Sequence, residues 1–208
     1  MAAPFYIVVE KILAPGETLP EDWPVAGTTG YDFLNRVNGV FIHAAGLQEL
    51  TEIYARFVET AVDLNGLVRD KKKLILKALF GGEVENHVYY LSQLALQDRQ
   101  ARDLARGDLV EALVEVLAAL PIYRTYIRSL KVASREVDYL EWTFAEVHRQ
   151  HPHLDQLALD FLFRVLRLDF PLYLTMEQRH DWLKFVMHLQ QFSGPIMAKG
   201  FEDTVLYL

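Results

Sequence analysis

The residue best placed to do chemistry is Glu10. It directly follows Phe-Tyr-Ile-Val-Val (residues 5–9), five apolar or aromatic side chains in succession. A run that is apolar on both faces and rich in β-formers predicts a strand covered on both sides, as in a parallel α/β sheet. A carboxyl at the carboxyl end of such a strand stands where α/β barrels carry catalytic groups. Part-buried there, a Glu is kept protonated near neutral pH and serves as a general acid. One Glu after one strand is also a common arrangement without chemistry, so the residue alone defines no reaction.

Four other clusters hold reactive side chains. "PIYRTYI" (residues 121–127) reads as a short strand. Alternation would set Tyr123 and Thr125 on one face and Arg124 and Tyr126 on the other. An Arg beside aromatics suits sugar or carboxylate recognition, and a structural Arg fits the spacing equally well. "GPIMAKGFEDT" gathers Lys199, Glu202, Asp203 and Thr204 after a Gly. It fits a ligand-facing turn and an exposed helix end alike. Arg69, Lys71, Lys72, Lys73 and Lys77 form a basic run that reads as a solvated helix face rather than an anion site. His148, His151 and His153 surround a helix-breaking Pro152. With no carboxylate at a ligand-like spacing, they read as a surface loop, and no metal site is assigned.

The bulk composition narrows the partners. The chain has 208 residues, 51% hydrophobic, which is ample for a packed core. Its net charge of -7 argues against nucleic acid and against an anionic membrane surface. It has no cysteine, so disulfides and cysteine metal sites are excluded. No basic-apolar leader is visible at the start, and no stretch approaches the roughly 20 apolar residues of a membrane helix.

The elements that must position these groups are mostly helices. After a Pro- and Gly-punctuated loop over residues 14–30, helical spacing recurs almost to the end. Thr29 and Ser134 are expected helix caps. Asp108 with Glu111, and Thr175 with Gln178, are expected capping boxes. "LDQLALDFLFRVLRL" is apolar nearly all round and belongs deep in the core. Gly194-Pro195 should break or kink its helix, with a last helix over about 195–205. The expectation is a mainly α molecule: an irregular helical bundle with one or two orphan strands. Residues 1–28 would form a strand and its following loop, and residues 29–208 a helical domain with a short strand near 122–127.

"VVEKILAPGETLPEDWPVAGTTGYDFLNRVNGVFI" (residues 8–42) resembles the maltooligosyltrehalose synthase family of α-amylase-type (β/α)₈-barrel glycosidases. "PIYRTYI" and "QQFSGPIMAKGFEDTVLYL" resemble two further segments of that family. The likeness spans the chain and is densest at residues 8–42 and 189–208. It implies a retaining, intramolecular transglucosylation. The reducing-end α-1,4 bond of a maltooligosaccharide becomes an α,α-1,1 bond, formally an isomerisation serving trehalose biosynthesis. Glu10 matches the family's general acid/base in its Val-Glu-Lys-Ile-Leu motif. Lys199, Glu202 and Asp203 fall in a segment characteristic of the family and are expected to help hold the reducing-end glucose. Tyr31, Asp32, Tyr123 and Arg124 are further substrate-binding candidates. No cofactor is implied, and the location implied is cytoplasmic.

The family's nucleophile motif (Arg-x-Asp-His-x-Asp-Gly type) and its third-carboxylate motif (His-Asp-Thr-Lys-Arg type) are absent from this sequence. The chain is therefore expected to be a central fragment, mainly the inserted helical subdomain of a barrel enzyme, inactive alone. Residues 5–9, an apolar strand lacking neighbours, would invite non-physiological self-association. The alternative is a stand-alone helical interaction module without catalysis. The intact Glu10 motif favours the first reading.

Overall fold

The computed structural model describes residues 5–59 and 63–208. Its contacts divide the chain into two units, Met1–Leu64 and Asn65–Leu208. The boundary expected near residue 28 lies inside the first of them.

In the first unit, strand β1 (Val8–Val9) runs parallel to β2 (Gly27–Thr28), with Val8 opposite Gly27 and Val9 opposite Thr28. Backbone bonds flank the pair: Ala26 N–H donates to Ile7 O at 2.7 Å and Thr29 N–H to Val9 O at 3.0 Å. The segment read as pure loop thus folds back and gives β1 its neighbour. A two-residue Gly-Thr strand has no alternation or apolar run to betray it. Helix α1 (Tyr31–Val40) begins after Gly30, whose φ of 119° a side chain would strain. Thr29 is not its cap. Instead the Thr28 hydroxyl accepts from Gly30 N–H at 3.1 Å and donates to Asp32. Helix α2 (Ala44–Phe57) follows, capped by the His43 ring. Neither helix buries a residue.

The larger unit carries the core. Helix α3 (Leu64–Ala78) leads into α4 (Gly81–Gln97), α5 (Arg106–Ala119), α6 (Ser134–Gln150), α7 (Gln156–Leu166) and α8 (Met176–Met197). A π-helical turn (Ala198–Glu202) and a 3-10 turn (Val205–Tyr207) complete the described elements. Helix α5 packs on α4, α6, α7 and α8. Among the described residues the molecule is eight helices and one small parallel pair, mainly α as expected. The apolar segment of α7 lies deep, with Leu159, Leu162 and Val165 fully buried. Trp182 of α8 is wedged edge-on to Phe161, with ring centroids 6.0 Å apart, and tilted on Phe170.

The caps divide. The Thr175 box is formed: Gln178 N–H donates to Thr175 Oγ1 and Thr175 N–H to Gln178 Oε1. Helix α5 instead starts at Arg106, behind Ala105, so Asp108 lies in its first turn, where it favours the helix dipole. Ser134 is the first residue of α6 and Ala133 its cap.

Residues 122–127 form no ladder, bending at 122–123, which corrects the expected strand. The buried Gln190 of α8 takes the place of a neighbouring strand. Its Oε1 accepts from Ile127 N–H and Thr125 Oγ1, both at 3.0 Å, and its Nε2 donates to Ile127 O at 2.8 Å. Ser193 donates to Tyr123 O, and Glu136 accepts from Tyr126 N–H. Side chains thus take up Tyr123 O, Tyr126 N–H and both backbone groups of Ile127, bonds that a neighbouring strand would otherwise supply.

Candidate functional site

Glu10, Tyr31 and Asp32 belong to the first unit; Tyr123, Arg124, Lys199, Glu202 and Asp203 belong to the second. Glu10 emerges from the end of β1, and the Tyr31 hydroxyl at the start of α1 donates to its Oε1 at 3.2 Å. The carboxylate is exposed, not part-buried as the strand reading expects.

The loop after Glu10 is fixed by a pair the sequence reading passed over. Lys11 is 7% exposed and forms an ion pair with Glu17 at 2.7 Å. Its ammonium also donates to Ile12 O, and Glu17 accepts from Ala14 N–H. The signal was present as opposite charges flanking the Pro-Gly turn in "KILAPGE". Asp32 faces elsewhere. With Thr28, Asn35 and Arg36 it lines an open hollow of about 560 Å³. The Thr28 hydroxyl donating to Asp32 holds its carboxyl below the usual carboxylate range.

In the second unit the dense "GPIMAKGFEDT" segment is built on the end of α8. Pro195 removes one backbone donor, yet the helix runs on to Met197. Burial of Phe192, Ile196 and Met197 holds it there, overriding the break the sequence predicts. The winding then widens into the π turn, which Asp203 N–H closes on Ala198 O at 3.0 Å. That turn brings the part-buried Glu202 under the Tyr123 hydroxyl, which donates to it. Lys199 pairs with Asp203 on the exposed side, and Thr204 Oγ1 donates to Lys199 O at 2.8 Å. Arg124 donates to Gln191 Oε1 at 2.6 Å and lies over the Tyr126 ring, 5.0 Å from its centroid. Tyr123 and Glu202 are thus joined directly, and Arg124 is tied to the same helix.

Two positioning residues were missed. Gly200, in the π turn, packs on α3 so closely that a Cβ would lie 2.7 Å from Lys72 Cγ and 3.0 Å from Lys72 Cα. Lys72 itself is 3% exposed and donates to Leu120 O at 2.8 Å; burial pushes its pKa down to about 8. The basic run is therefore not a solvated face. Lys72 shares the inward face with Leu76, while Arg69 pairs with Glu146 at 3.2 Å and Lys73 with Glu115 at 2.7 Å. Spacing from Leu76 could have flagged Lys72, since residues i and i+4 share a helix face. Of the histidines, His148 contacts Phe144 O, while His151 contacts Glu115 at 3.1 Å and meets the His153 ring edge-on, with centroids 5.7 Å apart. Among the described residues no helix is long and apolar enough to cross a membrane.

Fold and site define a mainly helical segment with a carboxylate at the end of a small parallel strand pair and a second acid–tyrosine contact on a π turn. No protein-family model matches the chain. It is 48% identical over 202 residues to a Mycobacterium tuberculosis protein provisionally named maltooligosyl trehalose synthase, covering 97% of this chain and 23% of that one. The solved maltooligosyltrehalose synthase of Arthrobacter ramosus matches with a TM-score of 0.75 at 29% identity, over 97% of this chain and 23% of that structure. A hypothetical maltooligosyl trehalose synthase of Sulfolobus tokodaii matches with a TM-score of 0.63 at 28% identity, over 97% and 22%. The chain thus spans about a quarter of the length of the curated relatives it matches. The resemblance read from the sequence, to one segment of maltooligosyltrehalose synthases, is borne out.

Proposed function

We propose that this chain is the acid/base-bearing, largely helical segment of an α-amylase-type enzyme that forms maltooligosyltrehalose in the cytoplasm. One observation carries the reading. Glu10 follows a parallel-paired strand, in a chain that matches named synthases over 97% of its length. In the reaction, Glu10 protonates the glycosidic oxygen of the reducing-end α-1,4 bond as that bond breaks. The anomeric carbon passes to a carboxylate nucleophile supplied from outside this sequence, about 5–5.5 Å from the acid in retaining enzymes. Glu10, now ionised, takes the proton of the anomeric hydroxyl on the released glucose. That oxygen attacks the glycosyl intermediate in place of water and closes the α,α-1,1 bond. Atoms balance without water or cofactor, so the step is an isomerisation. Tyr31 orients Glu10 through their hydrogen bond. Glu202, Tyr123, Lys199, Asp203, Arg124 and Asp32 offer charged and hydroxyl groups suited to sugar hydroxyls.

The test is a graft of this chain into the Mycobacterium tuberculosis relative in place of its matching segment, assayed on maltopentaose. The graft should yield a non-reducing, trehalose-ended product, and Glu10→Gln should lower the rate by about 10²–10⁴-fold. The isolated chain should yield none. Product from the chain alone, or a graft indifferent to Glu10→Gln, would sink the reading.

A further inference from the structure

Tyr123 and Glu202 lie 79 positions apart, so two arms of the second unit must be held in place for hydroxyl to meet carboxylate. The Tyr123 arm leaves α5 at its C-cap, Leu120, and the chain bends over 121–123. Leu120 is 8% exposed, and its carbonyl, past the last turn of the helix, needs a donor from elsewhere. The Lys72 ammonium supplies it at 2.8 Å, a cation at the carbonyl end of α5. Beyond it Ile122 is buried, and Ser193 donates to Tyr123 O at 2.8 Å. The Glu202 arm is the π turn Ala198–Glu202. Gly200 at its centre lies on Lys72 itself. A Cβ there would come within 2.7 Å of Lys72 Cγ and 3.2 Å of its backbone nitrogen. One side chain of α3, 3% exposed, thus touches both arms, with its ammonium on the first and its stem under the second.

An uncharged side chain of the same reach would fill the space under Gly200 but leave the buried Leu120 carbonyl without its donor. The lysine does both, and what it joins is a polar pair with a use. Glu202 accepts from the Tyr123 hydroxyl through Oε1. Its other oxygen carries no bond among the described residues. A carboxylate held by one oxygen presents the other in a set direction, ready to accept from a hydroxyl group. We propose that Lys72 is a positioning residue for sugar binding: it fixes both arms, so that Tyr123 holds Glu202 toward a hydroxyl of the bound sugar. The sugar rests on the maltooligosaccharide reading above; the positioning does not.

The experiment has two readouts. The first is carbon NMR of the Glu202 carboxyl in the 208-residue chain at fixed pH, in wild type, Tyr123→Phe, Lys72→Met and the double variant. Tyr123→Phe removes the donor and marks the position of the unbonded carboxylate. Lys72→Met should move the resonance most of the way there, and add nothing in the Tyr123→Phe background. A lysine that only cements the fold, or acts by its charge alone, would shift both backgrounds alike or neither. Should Lys72→Met fail to fold, Gly200→Ala, which lifts the turn off Lys72, must move the resonance toward the same position. The second readout is the KM for maltopentaose in the graft. Lys72→Met should raise it about tenfold, the worth of one hydrogen bond, and leave it unchanged in the Tyr123→Phe background. An unmoved Glu202 resonance would overturn the positioning. A moved resonance with an unchanged KM in an active graft would overturn the part in sugar binding. A graft that makes no product would count against the synthase reading, while the NMR still decides the positioning.

Discussion

Lys72 is a cation held under a π turn, with its ammonium on the Leu120 carbonyl and its stem against Gly200. Burial lowers its pKa to about 8 from 10.5. Between those values the unfolded chain holds a proton on Lys72 that the folded chain lacks, so this residue makes stability rise with pH across that window. The rise amounts to about 3 kcal/mol. Lys72→Met lacks the titration. Urea unfolding of both proteins below pH 8 and above 10.5 should show wild type gaining that amount relative to the variant. A flat difference would mean that Lys72 stays charged when folded. Gly200→Ala probes the other side of the contact. Its Cβ would meet the Lys72 backbone, which cannot swing aside as a side-chain tip can. The variant should lose about 1–3 kcal/mol, read as a lower urea midpoint at unchanged slope. Within its run of lysines, Lys72 is set apart in the sequence only by its i,i+4 spacing from Leu76.

At the scale of elements, legibility followed the length of each pattern. Helices α4 to α8 repeat their apolar positions over many turns, and each was readable. The Thr175 box showed because its two polar residues stand at the required spacing. Strand β2 was hidden because two residues carry no period. Residues 122–127 were read as a strand and form none; a glutamine on a helix holds them, which no local pattern announces. Of the candidate site, Glu10 was legible from its place after an apolar run, and the π-turn cluster from its density. The Tyr123–Glu202 contact spans 79 positions and only folding reveals it. The Gln190 contact yields a test. Gln190→Leu keeps the bulk but strands Ile127 N–H, Ile127 O and the Thr125 hydroxyl. It should destabilise the larger unit by about 3 kcal/mol. Hydrogen exchange should show Ile127 losing protection before the helices do; unchanged exchange at Ile127 would refute the strand-substitute role.

At the scale of the molecule the two units differ in how they dispose of apolar surface. Asn65–Leu208 encloses Trp182, Phe161, Leu113 and Leu162 almost completely. Met1–Leu64 leaves Val40 80%, Phe41 85% and Phe57 85% exposed along helices that bury nothing. Exposed faces of this kind promote association. Sedimentation should show the mass of the isolated chain rising with concentration, and Phe41→Lys with Phe57→Lys should hold it near 24.0 kDa. Association unchanged in that double variant would place the contact elsewhere, for example at the open edge of β1.

Those same helices have a meaning for a cell that handles the chain. Chaperones and proteases choose their clients by apolar surface that a finished fold conceals. By that criterion Asn65–Leu208 reads as finished goods, while α1 and α2 carry the mark of a chain still in progress. They would serve as a quality-control tag, silenced when another surface settles over them and spoken aloud whenever it does not.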